Sequence, residues 1–267
     1  MIERIVTERA RLPTALAVFV AWMLVTAFSG AFFSDGELAS LDQLMSRGVV
    51  PQILAACVFI TAASFLFPRR DVGLVAPVSG RSLLLTLPVA IYLALFFGLA
   101  VYLGLPSPKI VGIVVLNAIL VGISEELACR GILFQGFRAR FRVWPAIWLT
   151  SLIFAVMHVL NGFVTGQFGI AAVQSLAAFC TGMLFMAIRV RTGSLFPCMV
   201  LHALWNTGAL LAVLAAVQQS GGQPATLEMG LIVLVPVLGV LPNLLYGLWL
   251  LRHAGRDEAR APGPVAA

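Results

Sequence analysis

The feature of this sequence that most restricts its fold is a series of apolar runs, each about 20 residues long. A run of this length crosses the roughly 30 Å hydrocarbon core of a bilayer as one α-helix. The chain is 61% hydrophobic and only 10% charged, against roughly 25% charged residues in an average soluble domain. Eight runs can be recognised, at residues 13–33, 49–67, 83–104, 110–136, 144–160, 168–188, 194–217 and 229–251. We therefore predict an all-α, polytopic membrane protein, a helical bundle of about eight transmembrane helices.

The distribution of basic residues predicts the orientation of this bundle. Cytoplasmic loops of membrane proteins carry an excess of Lys and Arg. If the N-terminus is cytoplasmic, only Arg47 and Lys109 fall in external loops. The cytoplasmic side then holds fourteen basic residues: Arg4, Arg9, Arg11, Arg69, Arg70, Arg81, Arg138, Arg140, Arg142, Arg189, Arg191, Arg252, Arg256 and Arg260. We predict cytoplasmic N- and C-termini. The net charge of +6 then reflects topology, and no nucleic-acid partner is expected.

The chain is expected to form one transmembrane domain over residues 1–252, followed by a short polar tail at 253–267. The first apolar run is long for a secretory signal and seven more follow it, which favours a retained helix. The first external loop, around residues 34–48, is long enough for a short surface helix. The four cysteines lie inside apolar runs without paired spacing, which is typical of small buried residues rather than of disulfides or thiolate metal sites. They are Cys57, Cys129, Cys180 and Cys198.

Charged residues inside the fourth run need an explanation. The stretch S-E-E-L-A-C-R places Glu125, Glu126 and Arg130 between apolar segments. Each charge near the centre of a bilayer costs about 2.5 to 3.5 kcal/mol, so the three together cost about 9 kcal/mol before any pairing. Glu126 and Arg130 are four residues apart, on one helical face, and can form an ion pair. Glu125 points about 100° away and needs a partner on another helix.

Two further runs supply polar partners. Phe154 and His158 are four residues apart in the fifth run, and His202 and Asn206 are four apart in the seventh. A helix that offers His and Asn one turn apart presents hydrogen-bond donors from a rigid support. This is the arrangement that an oxyanion-binding site requires.

The three motifs E-E-x-x-x-R, F-x-x-x-H and H-x-x-x-N occur in this order on separate runs. In this respect the chain resembles the CPBP family, the CAAX proteases and bacteriocin-processing membrane proteins that include the Rce1-type prenyl-protein peptidase. The resemblance covers a core at about residues 115–210. The family often has an aromatic residue before the motif arginine, where this chain has Cys129. The first three runs carry no signature of the family.

The resemblance implies an intramembrane endopeptidase that hydrolyses a peptide bond. Glu125 corresponds to the glutamate that activates a water molecule, and His158 to the histidine that helps to hold this water. Glu126 and Arg130 correspond to a supporting pair, which fixes the helix that carries Glu125. His202 and Asn206 correspond to the group that stabilises the oxyanion of the tetrahedral intermediate.

Two histidines and a glutamate could instead hold Zn²⁺, with Glu125, His158 and His202 as its ligands. The sequence has no H-E-x-x-H motif, and Asn206 is a poor zinc ligand but a good oxyanion donor. A metal-free glutamate site is therefore the favoured interpretation, with zinc as the alternative.

Two other classes of function remain open at this point. A protein of the same fold could act as a catalytically silent membrane scaffold or as a bacteriocin-immunity protein, because fold does not fix function. A proton-coupled transporter is less favoured, because no inverted repeat is visible. Sixteen arginines against one lysine favour a bacterial source. We therefore expect a multi-pass protein of the inner (plasma) membrane, with a peptide or membrane protein as substrate and the lipid bilayer as its other partner.

Overall fold

The computed structural model describes residues 7–31, 40–221 and 229–256, and every regular element in these ranges is a helix. The α-helices are α1 (Arg11–Ala31), α2 (Leu41–Arg47), α3 (Pro51–Ser64), α4 (Arg69–Val72), α5 (Leu87–Leu103), α6 (Pro108–Glu126), α7 (Phe134–Arg138), α8 (Val143–Val159), α9 (Asn161–Thr165), α10 (Phe168–Thr192), α11 (Phe196–Gln219) and α12 (Met229–Leu251). Short 3₁₀ segments, Glu8–Ala10 and Gly80–Thr86, precede α1 and α5. A π-helical segment, Leu127–Leu133, joins α6 to α7. The predicted all-α fold is confirmed.

Proline and glycine set many of the helix ends. Proline lacks a backbone N–H and fits the first turn of a helix, where that group has no intrahelical partner. Four helices begin with proline at the first or second position, namely Pro51, Pro88, Pro108 and Pro197. Gly73 and Gly193 end α4 and α10 in the left-handed conformation, with φ of +87° and +67°, which glycine adopts without steric cost. These residues delimit the apolar runs.

A helix lies at each of the eight predicted runs. Five helical segments are long and apolar enough to cross a membrane: Gly80–Leu103, Pro108–Arg138, Val143–Thr165, Phe168–Thr192 and Phe196–Gln219. The pair α2 and α3, bent by 81°, could add a sixth. The total of eight spans and the cytoplasmic location of both termini stay predictions. Helix α2 lies in the predicted external loop, of which residues 34–39 are outside the described ranges, as is the tail from 257 onwards.

The bend between α2 and α3 is supported by one buried side chain from α6. Asn117 is fully buried. Its Oδ1 accepts a hydrogen bond from the Val50 N–H at 3.0 Å, and its Nδ2 donates to the carbonyls of Met45 and Gly48 at 3.0 and 2.8 Å. Backbone groups freed at the turn are therefore satisfied by a side chain, as burial requires. This contact fixes the N-terminal helices to the helix that carries the glutamates.

Close packing of α6 against α11 and of α10 against α12 depends on glycine. A Cβ at Gly122 of α6 would lie 2.9 Å from the Met199 carbonyl oxygen of α11, and one at Gly247 of α12 would lie 3.0 Å from the Leu184 backbone of α10. Small residues let helix backbones approach one another in membrane bundles. Gly122 is one turn before the glutamates, so this close approach brings them beside α11.

Candidate active site

Glu126 and Arg130 form a fully buried ion pair. The Arg130 Nη1 donates to Glu126 Oε1 at 3.0 Å, and both side chains have zero exposure. The pair crosses from the last residue of α6 into the π-helical segment, where the Phe134 N–H donates to the Cys129 carbonyl five residues earlier. Single π-helical turns within α-helices often occur at functional sites. This turn was not predicted from the residues of the segment.

The guanidinium of Arg130 is enclosed by two neighbouring helices. Its Cζ lies 3.8 Å from the centroid of the Phe154 ring of α8, a geometry in which the cation is attracted to the aromatic face. On the other side, a Cβ at Gly182 of α10 would lie 2.9 Å from Arg130 Nη2 and 3.1 Å from Phe154. Gly182 therefore provides the space that the arginine occupies.

His202 of α11 contacts both glutamates. Its Nδ1 lies 2.8 Å from Glu126 Oε1, and its Nε2 lies 3.7 Å from Glu125 Oε2. A carboxylate only accepts hydrogen bonds, so the proton between Nδ1 and Glu126 is on the histidine. Glu126 thus accepts hydrogen bonds from both Arg130 and His202. The sequence predicts only the pair of Glu126 with Arg130, and the contact with His202 is an additional finding.

His158 is fixed by its own helix. Its Nδ1 lies 2.7 Å from the Phe154 carbonyl oxygen, so Nδ1 carries the proton and Nε2 is left available. The rings of Phe154 and His158 meet edge to face, with centroids 4.7 Å apart. His158 also lies close enough to Glu125 and His202 to interact with both electrostatically.

A cavity of about 110 Å³ adjoins these groups. Three of the four predicted catalytic side chains, those of His158, His202 and Asn206, line it. The fourth, Glu125, is not among the lining residues but contacts His202, and its Oε2 is buried without a hydrogen-bond partner. The rest of the wall consists of Phe154, Gln174, Ala177, Ala178, Thr181, Phe185 and Trp205. The structure therefore brings together the polar residues that the sequence placed on three separate runs.

One support of the site comes from α1. The Trp22 indole N–H donates to the Ser124 hydroxyl at 2.8 Å, and both residues are almost fully buried. Ser124 directly precedes Glu125, so α1 contacts the helix beside the candidate base. Sequence reasoning missed this pair, and a hydroxyl next to the glutamates in an apolar run was the available signal.

The described residues contain no group of three His, Cys, Asp or Glu side chains arranged to hold a metal ion. The Nδ1 atoms of His158 and His202 are already bound to a carbonyl and a carboxylate. The zinc set predicted as an alternative, Glu125, His158 and His202, is therefore not assembled as a three-ligand site in this part of the chain.

Comparison with known proteins gives one match. A family model described as type II CAAX prenyl endopeptidase, Rce1-like, matches residues 107–208. This segment is similar to the CAAX protease (CPBP) family. It begins just before α6, ends in α11, and contains all three motifs. The matched family is one of proteases, and the apolar helices of the described residues are long enough for an integral membrane protein. No curated protein and no solved structure matches the chain.

Proposed function

We propose that this protein is an intramembrane endopeptidase that cleaves a peptide bond with a water molecule activated by Glu125. The observation that carries the proposal is the position of His202, held between Glu125 and Glu126 on a cavity that it shares with His158 and Asn206. The Rce1-like segment that contains these residues supports the same chemistry.

Glu125 is the general base of the proposed reaction. Its buried, unpartnered Oε2 accepts a proton from water while the water oxygen attacks the carbonyl carbon of the substrate. His158 Nε2, left available by the bond of Nδ1 to Phe154, orients this water. When the tetrahedral intermediate collapses, the carbon–nitrogen bond breaks and Glu125 returns the proton to the leaving amine. General-base catalysis of this kind typically contributes about 10² to 10⁴-fold in rate.

His202 and Asn206 stabilise the oxyanion. Because Nδ1 of His202 donates to Glu126, Nε2 can donate only when the ring is protonated. A protonated His202 with the Asn206 amide thus supplies two donors where negative charge develops. Glu126 acts here as a positioning residue, which selects the ring orientation of His202 as well as pairing with Arg130.

No step of this reaction passes through a metal ion. We favour this route because the amide of Asn206 beside His202 suits an oxyanion better than zinc. Elemental analysis of active, detergent-purified protein tests this part. Zinc at one equivalent per chain, lost together with activity on chelation, would contradict it.

The proposed substrate is a peptide or membrane protein of a bacterial inner membrane. The apolar helices that carry the site support a reaction at membrane depth. Comparing the termini of the membrane proteome between wild-type cells and cells with Glu125→Gln would identify the substrate as a terminus present only in the wild type.

The same variant tests the reaction with purified protein. Glu125→Gln keeps the size of the side chain and removes its basicity, so turnover of the identified substrate should fall by about 10² to 10⁴-fold. Asp42→Asn, which neutralises a carboxylate on α2, is the matched control and should retain the wild-type rate. Cleavage by Glu125→Gln at the wild-type rate would remove Glu125 from the mechanism.

A further inference from the structure

Gln174 of α10 is a polar residue of the cavity that the proposed reaction does not use. It lines the same cavity as His158, His202 and Asn206. Its Oε1 accepts a hydrogen bond from Nδ2 of Asn161, the first residue of α9, at 2.9 Å. The side chain is half-buried.

The packing of α8 against α10 places Gln174 near the reacting groups. The Ser175 hydroxyl donates to the Ala155 carbonyl at 2.7 Å, so these two residues lie at the same level of the helix pair. Gln174 precedes Ser175, and His158 is three residues beyond Ala155, a rise of about 4.5 Å. Gln174 and His158 therefore stand on facing segments, within about one helical turn of each other.

The hydrogen bond from Asn161 determines which end of the Gln174 amide is available. A side-chain amide has one carbonyl acceptor and two N–H donors. Because Asn161 donates to the carbonyl, the NH₂ group is the end left for a ligand in the cavity. The nitrogen of this NH₂ group is not one of the buried side-chain atoms that lack a hydrogen-bond partner among the described residues. This agrees with a position that opens into the cavity.

The wall around Gln174 restricts what this donor can bind. Ala177 and Ala178 follow it along α10, and the Thr181 hydroxyl donates to the Ala177 carbonyl at 2.8 Å. Phe154, Phe185 and Trp205 supply the aromatic part of the wall. Ala177 and Ala178 carry only methyl groups beside Gln174, and the acceptor that every peptide chain brings is a backbone carbonyl.

We propose that the Gln174 amide donates a hydrogen bond to a backbone carbonyl of the bound peptide, close to the bond that is cut. Asn161 is the positioning residue that holds the amide in the donating orientation. This inference rests on the proposed endopeptidase function and adds a substrate-binding residue to it. The contact recognises the peptide backbone and therefore acts on substrates of different sequence.

The test uses the purified full-length protein and a library of internally quenched peptides with randomised central residues, in detergent micelles. Gln174→Met keeps the approximate shape and removes the donors without adding charge. KM should rise about tenfold, the effect of leaving one buried carbonyl without its donor, while kcat changes less than about threefold. Gln218→Met, the same substitution at an exposed position near the end of α11, should leave both constants unchanged. If Gln174→Met melts at a lower temperature than wild type, Gln174→Glu is measured in its place, because the Glu side chain keeps an acceptor for Asn161.

A double variant tests the role of Asn161. Asn161→Asp turns the donor into an acceptor, so Gln174 rotates its NH₂ group towards residue 161 and KM should rise to a similar extent. In a Gln174→Met background the same change should add nothing, because a positioning residue acts only through the residue it orients. An unchanged KM in Gln174→Met, or a loss confined to kcat, would overturn the inference while leaving the endopeptidase function intact. If the wild-type protein does not cleave the library, or if Glu125→Gln cleaves it equally well, both the role of Gln174 and the endopeptidase function would be overturned.

Discussion

Helices α5 and α10 are both apolar enough to cross a membrane, yet α5 lies mostly at the surface of the bundle and α10 mostly in its interior. The most apolar 18-residue window of the α5 segment is 11% buried within the protein, against 56% for α10. Leu87, Ile91 and Leu95 form an exposed stripe along α5 at a spacing of four residues. α10 instead brings Gly182 to Arg130 and Gln174 to the cavity. In a bilayer, apolar helix surface can contact lipid and need not be buried in the protein. Small and polar residues, rather than apolar ones, therefore distinguish the interior of the bundle.

The largest expected difference between the interior and the surface concerns charge. Glu126→Gln would leave the Arg130 cation buried without a counter-ion, which costs about 3 to 5 kcal/mol. The free energy of unfolding, measured in detergent, should fall by this amount. The double variant Glu126→Gln/Arg130→Met should recover most of the stability, because the buried unpaired cation is then removed. Peptidase activity should not return, because Glu126 also positions His202.

A partly exposed ion pair provides the control. Arg11 and Asp71 lie 2.7 Å apart with side-chain exposures of 17% and 33%, so solvent screens their attraction. Asp71→Asn should change the free energy of unfolding by only about 0 to 1 kcal/mol. Equal losses in Asp71→Asn and Glu126→Gln would show that the interior of the bundle is no more sensitive to charge than its edge.

Glycine gives the second comparison. Gly122→Ala places a Cβ 2.9 Å from the Met199 carbonyl oxygen, so α6 and α11 must separate, at a cost of about 1 to 3 kcal/mol. Activity should fall as well, because Glu125 and His202 move apart. Gly98→Ala, on α5, places its Cβ where nothing lies within 4 Å. It should leave activity unchanged and be neutral or slightly stabilising, because alanine favours helix. A stable, active Gly122→Ala variant would contradict the close approach of α6 and α11.

The positions of the helices were predictable from the sequence for a simple physical reason. A membrane helix needs about 20 apolar residues, and prolines such as Pro108 and Pro197 mark where such helices begin. The polar motifs of the site were recognisable too, because Glu125, His158 and His202 stand out against apolar neighbours. A helix lies at every predicted run, although the number that cross the membrane is not fixed by apolarity alone.

The contacts between the residues of the site were harder to predict from the sequence. Local spacing accounts for the pair of Glu126 with Arg130, but the contact of Glu126 with His202 joins residues 76 apart in sequence. It depends on the approach of two helices that Gly122 permits. The role of Gln174 likewise depends on the helix pairing that brings it beside His158. The π-helical turn after α6 lies in a buried segment whose residues are equally compatible with an ordinary α-helix.

The smallest expected effect concerns the contact between α1 and the site. Trp22→Phe keeps the ring and removes the N–H that Ser124 accepts, which should lower the free energy of unfolding by about 0.5 to 1.5 kcal/mol. If α1 also orients α6 beside Glu125, kcat should fall more than KM changes. Trp148→Phe is the matched control, since Trp148 is 39% exposed and keeps its stacking on Phe179 as a phenyl ring. Its stability and kinetics should remain within error of wild type. An unaltered kcat in Trp22→Phe would limit α1 to packing and leave the segment from α6 to α11 as the whole of the catalytic apparatus.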